Sequence, residues 1–543
     1  MTRAASSIAA FLAFGCFPPG EGLSPPPNRI YYPVGLALDD SAEHLFIANS
    51  DFDLQFNAGT LQSFDLNALR SRLPRACEAD DECGADERCD LEPSDANDGV
   101  ASHWCVPREG ARAGRPCGAF GARSAADKLL YPGRCDYIDP AEPQDGGAPI
   151  LVQSVEIGAF ATDMVYRPRP DGAPGEGRLF VPVRGDATLH WADVGGGRIE
   201  CGQSRNDGAC DAAHRAGDDP ARENTRDVRL LPEPYGVDAD EAAGTLLVTN
   251  QSSGAVALFV HDWTTNDGPQ LKFNLGSLPE RPIGVASLPT PRVVAASGLD
   301  YLPGYLVSFR NAPLVYLVRV YDDAGASPPR PYVRAPASAS ILANSSGVDS
   351  RGLAIDGTER RAEELRCAER YGVDAACAAD PSCAPPEYQS CALAASAIPL
   401  DVFVANRSPS SLLVGRTRPV VGDIATSDVP AFHATVPMPI GPSRVVVGNV
   451  ITPSGELERR VFVICFDSRR IVIYDPERNR VEAEMATGRG PHTLRVDEAH
   501  GLAYVGHFTD SYLGVVDLDQ RHASTYGTMI ATVGRPIAPR SAK

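Results

Sequence analysis

The sequence is poor in lysine and lacks the short motifs of common catalytic sites. Only three lysines occur among the 50 basic residues, and 70 acidic residues give a net charge of −20. Such an acidic surface repels phosphate backbones, so we expect no nucleic-acid partner. The motifs G-x-S-x-G, H-E-x-x-H and C-x-x-C-H and phosphate-binding glycine loops do not occur. We therefore expect no resident cofactor.

No two of the 14 cysteines are spaced as Cys-x-x-Cys, which argues against a structural zinc site. Apart from Cys16 and Cys465, the cysteines fall into even-numbered clusters, as disulfide pairing requires. Disulfides predict an oxidising compartment, and the connectivity within the largest cluster stays open. The twelve cysteines predicted to pair are Cys77, Cys83, Cys89, Cys105, Cys117, Cys135, Cys201, Cys210, Cys367, Cys377, Cys383 and Cys391.

The first sixteen residues have the pattern of an export signal. Arg3 precedes an apolar stretch that ends at Phe14 and is too short to span a bilayer stably. Ala13-Phe14-Gly15-Cys16 resembles a bacterial lipobox, which predicts lipidation of Cys16; the alternative is an ordinary signal peptide that happens to end in cysteine. Residues 17–29 are rich in Pro and Gly and would form a tether. Membrane association is expected only through this lipid anchor.

A repeated unit dominates the rest of the chain. In LLVTNQSSGAVALFV, Leu246–Val260, an apolar run ends at Asn250, turns, and is followed by a second apolar run. Seven such units can be placed, most of them opened by a Pro-x-Gly turn such as Pro234-Tyr235-Gly236. Repeats of roughly 40–50 residues are typical of four-stranded propeller blades. We predict an all-β fold, a seven-bladed β-propeller over 30–540 with cysteine-rich insertions.

The end of the chain predicts how the ring closes. The first unit has no strand before Pro33, whereas the C-terminal stretch TMIATVGRP follows the seventh unit. We therefore expect the C-terminal strand to complete the first blade. Aligning the units places seven residues at one equivalent position after the second strand: Asn49, Val183, Asn250, Ser297, Asn406, Cys465 and His507.

Three insertions interrupt the repeats. The segments 74–146 and 195–227 fall between the third and fourth strands of blades one and two. The segment 357–396 falls between the first and second strands of blade five. All three should emerge on one face of the propeller, which would leave the opposite face open for binding.

Two rings of turn residues should line that open face around the propeller axis, where ligands usually bind in a concave site. The turns before the first strands present Tyr235, Arg351 and His492. The turns after the second strands present Asn49, Asn250, Asn406, Arg407 and His507. For the three asparagines the alternative is a structural role, because an asparagine at a strand end commonly caps the turn.

Blades six and seven break the asparagine pattern. Cys465 and His507 occupy equivalent positions in adjacent blades, and His492 lies at the entrance of the seventh. A thiol and two imidazoles could bind a soft metal ion such as copper or zinc. The alternative is that Cys465, within VFVICF, is a small buried hydrophobic residue.

The strand ends IAN, VTN and VAN, each followed by a polar turn and a second apolar strand, resemble the repeats of YVTN-type propellers. This family includes bacterial surface-layer proteins and is related to lactonase-like propellers. The resemblance implies the fold, but propellers host many unrelated functions. Lactonase-like propellers use acidic and histidine residues around the axis, whereas Asp467 is the only carboxylate at the matching turn positions here.

These observations support a binding function more than an enzymatic one. The leading hypothesis is a non-enzymatic binding or scaffold protein of the bacterial cell envelope, exported to the periplasm or anchored at the outer membrane. Its expected partner is a protein or an envelope glycan. The alternative is a propeller enzyme, a lactonase-like hydrolase or a metal-dependent oxidoreductase, with its site at the axial funnel.

Overall fold

The computed structural model describes most of the propeller region. The described residues are 22–92, 102–110, 135–143, 147–170, 172–202, 208–240, 243–263, 268–290, 302–323, 325–327, 330–341, 348–373, 377, 383–420 and 424–537. The predicted export signal, Cys16, the first part of the tether and Cys117 lie outside them.

In the described part of the chain, the propeller strands form seven antiparallel sheets. Blade one contains β1 (Pro33–Leu38), β2 (His44–Asn49) and β3 (Gly59–Asp65); an inserted hairpin of β4 (Glu87–Glu92) and β5 (Ser102–Pro107) precedes its last strand, β6 (Leu151–Ile157). Blade two contains β7 (Val165–Pro168), β8 (Gly177–Val183), β9 (Thr188–Gly195), β10 (Arg198–Glu200) and β11 (Arg215–Ala216). Blade three contains β12 (Pro234–Asp240), β13 (Thr245–Asn250), β14 (Ala255–Val260) and β15 (Gln270–Leu275).

The remaining blades follow in chain order. Blade four contains β16 (Pro282–Ser287), β17 (Gly304–Phe309), β18 (Leu314–Asp323) and β19 (Arg330–Ser340). Blade five contains β20 (Ser350–Asp356), β21 (Asp401–Arg407), β22 (Ser410–Arg418) and β23 (Val429–Pro437). Blade six contains β24 (Pro442–Ile451), β25 (Leu457–Cys465), β26 (Arg470–Asp475) and β27 (Arg480–Ala486). Blade seven contains β28 (Pro491–Asp497), β29 (Leu502–His507), β30 (Tyr512–Asp517) and β31 (Met529–Val533).

The helices lie outside the blades. A short helix, α1 (Leu66–Arg70), follows β3, and α2 (Pro220–Glu223) follows β11. The insertion between β20 and β21 contains α3 (Thr358–Tyr371) and α4 (Pro386–Ser396), which pack as a helical pair. Among the described residues, no helix is long and apolar enough to cross a membrane.

The first strand of each blade lies innermost. These strands contact one another in the order β1, β7, β12, β16, β20, β24 and β28, and β28 contacts β1. This closed cycle confirms the predicted seven-bladed β-propeller.

The glycine at the third position of the blade-opening turn, as in Pro33-Val34-Gly35 and Ser350-Arg351-Gly352, has a packing role in this ring. A Cβ at Gly352 would lie 2.6 Å from the Cα of Arg444 in the next blade, and a Cβ at Gly35 would lie 2.6 Å from Cβ of Met164. Real Cβ atoms essentially never approach neighbouring atoms so closely. The repeated glycine therefore allows the inner strands to approach each other around the axis.

Seven hydrophobic clusters lie between neighbouring blades of the described chain. Phe180 of blade two packs with Phe259 of blade three, and on the other face of blade three Leu258 packs with Val307 of blade four. Because each sheet is covered on both faces, its middle strands are apolar at consecutive positions.

The predicted role of the C-terminal strand is wrong. β31 pairs with β30 and completes blade seven, while β6 supplies the fourth strand of blade one. The ring closes instead through side-chain packing between blades seven and one, and through Ile138 of the first insertion. The Ile138 N–H donates to the Thr532 carbonyl at 2.8 Å, and the Gly534 N–H donates to the Ile138 carbonyl at 2.8 Å.

The strand assignment in blade four also needs correction. The pattern places the second strand at RVVAASG, but residues 291–300 lie outside the described part, and β17 is the second strand. Pro282 pairs with Phe309, as Pro234 pairs with Asn250 in blade three. Phe309, and not Ser297, is therefore the equivalent residue.

The insertions emerge in two different ways. The first lies between β3 and β6 and the third between β20 and β21, which places both on the same face. The second does not leave from a turn, because β10 and β11 both pair with β9 and form two pieces of one outer strand. The disulfide between Cys201 and Cys210 closes the loop between these pieces. That loop packs sideways on blade one, where the Cys210 N–H donates to the Glu156 carbonyl at 3.0 Å.

Disulfides are present in all three insertions. Within the described residues the pairs are Cys77–Cys89, Cys83–Cys105, Cys201–Cys210, Cys367–Cys391 and Cys377–Cys383. Cys135 is also disulfide-bonded. Five disulfides indicate an oxidising environment, extracellular or periplasmic.

Candidate functional site

The asparagines after the second strands are structural in this fold. Asn49, Asn250 and Asn406 are almost completely buried. Asn49 accepts a hydrogen bond from the Tyr31 N–H at 3.0 Å and donates to Thr60 Oγ1 at 2.9 Å. Asn250 donates to the Leu231 carbonyl at 2.7 Å, and Asn406 donates to the Pro409 carbonyl at 2.8 Å. Asn49 and Asn250 thus bond to the segments that precede the first strands of their blades, and Asn406 bonds within its own turn.

Cys465 and His507 are buried as well. Cys465 packs in the cluster between blades five and six, and burial raises the pKa of its thiol to about 12. The His507 ring stacks on Tyr512 with ring centroids 4.1 Å apart, and burial lowers the pKa of His507 to about 3. The thiol is thus kept protonated at neutral pH, which disfavours it as a metal ligand.

Potential metal-binding groups lie elsewhere in the described chain. The side chains close enough to share an ion are Cys77 with Cys83 and Cys105, and Glu363 with Cys367 and Cys391. All these cysteines are disulfide-bonded and offer no thiolate. Cys465, His507 and His492 are in neither group, so the structure does not bring together the three residues of the metal hypothesis.

The turns before the first strands and after the second strands enclose a cavity of about 340 Å³. All seven blades contribute to its lining, which places the cavity on the propeller axis. Tyr235, Arg351, Arg407 and His492, four of the predicted site residues, line it. Its other lining residues are Phe52, Asp163, Arg184, Gln251, Ile283, Gly284, Val285, Gly352, Leu353, Ser443, Arg444, Val445, Phe466 and Phe508.

Four arginines and one aspartate line this cavity, although the whole chain is strongly acidic. Each is held by a carboxylate: Arg184 pairs with Glu233 at 2.5 Å, and Arg407 pairs with Asp467. Arg351 donates through Nε and Nη2 to Asp349 at 2.9 and 2.8 Å, which leaves three further N–H groups on that guanidinium. Burial opposes ionisation of Asp349, but Arg351 and Arg310 outweigh it and hold the pKa of Asp349 below its usual range. The guanidinium groups are therefore fixed in position.

An ion pair crosses the axis at the base of the cavity. Arg444 of blade six donates to Asp163 of blade two at 2.8 Å, although the two are 281 positions apart in the sequence. His492 lies near this pair. Burial, together with the charges of Arg444 and Arg351, lowers the pKa of His492 to about 3. At neutral pH its imidazole is uncharged, and it can both donate and accept a hydrogen bond.

Aromatic rings form an arc along the other side of the mouth. Phe508 contacts Phe52 with ring centroids 5.2 Å apart and His492 with centroids 5.6 Å apart. The arc continues to Phe160 on one side and Phe466 on the other. Phe52 remains half exposed. The cavity thus combines fixed cations with an apolar aromatic wall.

Sequence reasoning missed Phe466 and Phe508. Each directly follows a residue of the equivalent position, Cys465 or His507, just as Arg407 follows Asn406. The alignment of the units therefore indicated both positions, but in the sequence the two phenylalanines look like the last residues of apolar strands. The pairing of Asp163 with Arg444 left no signal in the spacing.

Comparisons with known proteins add no family assignment. No family model matches the chain, and no curated protein matches it. Solved structures share the fold at low similarity. Sqt1 from Saccharomyces cerevisiae is 7% identical, with 96% of this chain and 93% of that chain covered and a TM-score of 0.43.

Two bacterial structures are similar to a comparable degree. The periplasmic gluconolactonase PpgL from Pseudomonas aeruginosa is 11% identical over 85% of this chain and 87% of that chain, with a TM-score of 0.41. A protein from Lactobacillus plantarum is 9% identical over 84% of this chain and 86% of that chain, with a TM-score of 0.39. Likeness of this degree is no guide to activity.

Proposed function

We propose that this chain is an exported, lipid-anchored, non-enzymatic binding protein of the bacterial cell envelope. Its binding site would be the axial cavity, and its partner an envelope glycan or protein that carries an acidic group. The observation that carries this proposal is the convergence of Arg184, Arg351 and Arg407 beside an aromatic wall. Arginine is suited to carboxylate and phosphate groups because its N–H groups form a planar fork.

The same geometry argues against catalysis. An effective general base has a pKa near the working pH, whereas the pKa of His492 is lowered to about 3. The lining carboxylate, Asp163, is engaged by Arg444. Binding requires only that the arginines and rings stay in place, which their ion pairs support.

Calorimetric titration of the full-length protein with glucuronate and glucose tests this function. We expect glucuronate to bind, glucose to bind more weakly, and added salt to weaken the binding of glucuronate. Arg407→Ala should weaken glucuronate binding about tenfold, in line with loss of one charge-assisted hydrogen bond. Arg366→Ala, on exposed α3 at the opposite face, is the matched control and should have no effect.

The enzymatic alternative is tested on the same samples with gluconolactone. Lactone hydrolysis above the buffer rate that disappears in His492→Ala would contradict the non-enzymatic proposal. Equal affinities for glucuronate in Arg407→Ala and the wild type would contradict the assignment of the cavity.

A further inference from the structure

Three strongly exposed apolar side chains lie together on the cavity face beside blade one. Leu23 is 67% exposed, Phe52 is 51% exposed and Leu54 is 63% exposed. Phe52 and Leu54 belong to the turn between β2 and β3, and the Asn57 N–H of that turn donates to the Leu23 carbonyl at 3.1 Å. We call Leu23, Phe52 and Leu54 the apolar crown.

The turn that presents the crown is firmly held. Asp51 Oδ1 and Oδ2 each lie 3.3 Å from the Phe56 N–H, and the Asp51 carbonyl accepts from Leu54 at 3.2 Å. Tyr31 donates its hydroxyl to Asp53 at 2.8 Å. Asp51 and Leu54 have φ angles of 51° and 53°, a backbone region that is costly for residues with a side chain. The fold therefore keeps these apolar side chains in solvent by a rigid arrangement.

The position of the N-terminal tether indicates what covers the crown. Gly22 lies six positions after Cys16, and a fully extended chain over six residue steps spans about 20 Å. Gly22 lies against Asn57, on the cavity face. A compact chain of this length has a radius of gyration of about 24 Å, so such a tether cannot reach round to the opposite face. A lipid on Cys16 would hold the crown next to the bilayer.

We propose that the apolar crown inserts into the lipid surface and orients the cavity mouth towards the membrane. This inference rests on the lipid anchor of the proposed function. The crown turn, residues 50–58, carries Asp51 and Asp53 but no lysine or arginine, so the attraction is hydrophobic and not electrostatic. The partner that reaches the cavity would then be presented at the membrane surface.

Vesicle co-sedimentation of full-length Cys16→Ser protein tests the crown without the lipid. We expect weak binding to phosphatidylcholine vesicles that is insensitive to salt and is not increased by phosphatidylglycerol. Leu54→Ser should reduce the partition coefficient about tenfold, because a buried leucine contributes strongly to membrane transfer. Leu457→Ser is the matched control, since Leu457 is 52% exposed at the opposite face, and it should leave binding unchanged.

A fluorescence measurement gives the orientation. In the lipidated protein on brominated vesicles, Phe52→Trp should show an additional quenched tryptophan signal, and Leu457→Trp should not. Equal sedimentation of Leu54→Ser and Leu457→Ser would overturn the proposal. So would concentration-dependent dimerisation that Leu54→Ser abolishes, since the crown would then be an interface between two copies.

The mass of the mature protein tests whether Cys16 is lipidated, on which both the proposed function and the membrane orientation depend. A lipidated Cys16 is expected, and an unmodified Cys16 would overturn the membrane orientation. Binding of glucuronate in the cavity is measured independently and would stand in that case. Conversely, loss of the glucuronate result with intact crown binding would overturn the assigned ligand and leave the orientation in place.

Discussion

At the scale of single residues, burial of His507 links the stability of the propeller to pH. Its pKa is lowered from 6.5 to about 3, so the folded state holds the neutral imidazole. The unfolded chain takes up a proton near pH 6.5. The contribution of His507 to stability is therefore present above pH 6.5 and is lost as the pH falls towards 3.

We expect His507→Asn to flatten the pH dependence of unfolding, because asparagine does not titrate and occurs at the equivalent position in three other blades. Between pH 7 and pH 4 the wild type should lose about 3 kcal/mol through this group, and the variant should lack that loss. Urea denaturation at both pH values measures the difference. His433→Asn, at an exposed position, should keep the wild-type pH dependence; a parallel curve for His507→Asn would contradict the assignment.

The cavity residues differ in how far the sequence could predict them. Tyr235, Arg351 and His492 follow from the repeat, because each is the middle residue of the turn that opens its blade and so lies near the axis. Ion pairs between blades, such as the pair of Asp163 and Arg444, depend on three-dimensional closure and have no local pattern. The asparagines were conspicuous in the sequence, yet their buried side chains form hydrogen bonds within the fold, Asn49 with Tyr31, Asn250 with Leu231 and Asn406 with Pro409.

At the scale of elements, the inner strands of blades one, three, four and five each carry a glycine where the next blade packs closely. We expect Gly352→Ala to destabilise the propeller by about 1–3 kcal/mol, because its Cβ would meet the backbone of Arg444. Thermal unfolding measures the effect. Gly276→Ala is the matched control, since nothing lies within 4 Å of the added Cβ there and its φ is not in the left-handed region. Equal melting temperatures for the two variants would contradict the close-packing role.

The divided outer strand of blade two makes a second prediction. We expect Cys201→Ala with Cys210→Ala to lower the free energy of unfolding by about 2–3 kcal/mol, because the disulfide restrains the loop between β10 and β11. Hydrogen exchange at the Cys210 N–H should become faster, since its bond to the Glu156 carbonyl depends on that loop. In Cys465→Ala, which removes a free thiol, exchange at this amide should be unchanged. Unaltered exchange in the double variant would contradict the restraint.

Elements were predictable where a blade is regular. In blades three and five, the apolar run that ends at Asn250 or Asn406 predicts one strand, and the apolar run after the following turn predicts the next. The prediction failed in blade four, where the pattern assigned the second strand to an apolar run outside the described residues, whereas β17 is the strand that pairs with β16. It also failed in blade two, because the two-residue β11 is too short to leave a pattern and is defined only by its pairing with β9.

At the scale of the whole molecule, closure depends on the junction of blades seven and one. Arg70 of α1 forms an ion pair with the buried Asp497 of β28 at 2.9 Å. We expect Arg70→Met to cost about 3 kcal/mol, because it takes the arginine from a buried carboxylate that then keeps only its contacts with His500 and Tyr504. Limited proteolysis should then cut this junction first. Adding Asp497→Asn should recover part of the loss; no recovery in the double variant would contradict the role of the pair.

The fold class was predictable because the same unit recurs seven times, and repetition averages out local ambiguity. The way the ring closes was not predictable. The first unit has no strand before Pro33 and a C-terminal strand follows the seventh unit, and together these suggest one blade built from both ends of the chain. In the structure β6 pairs with β3 across the long insertion, so blade one is complete without the C-terminal strand.

Because every blade is built from one continuous stretch of chain, no sheet depends on where the chain begins. Ile30, near one end, packs against Gly534, near the other. A circular permutant could join the segments at Ile30 and Gly534 by a short linker and have its new termini between β15 and β16. Such a permutant would retain all strand pairs. We therefore expect the propeller to fold with new termini at its turns, whichever blade comes first along the chain.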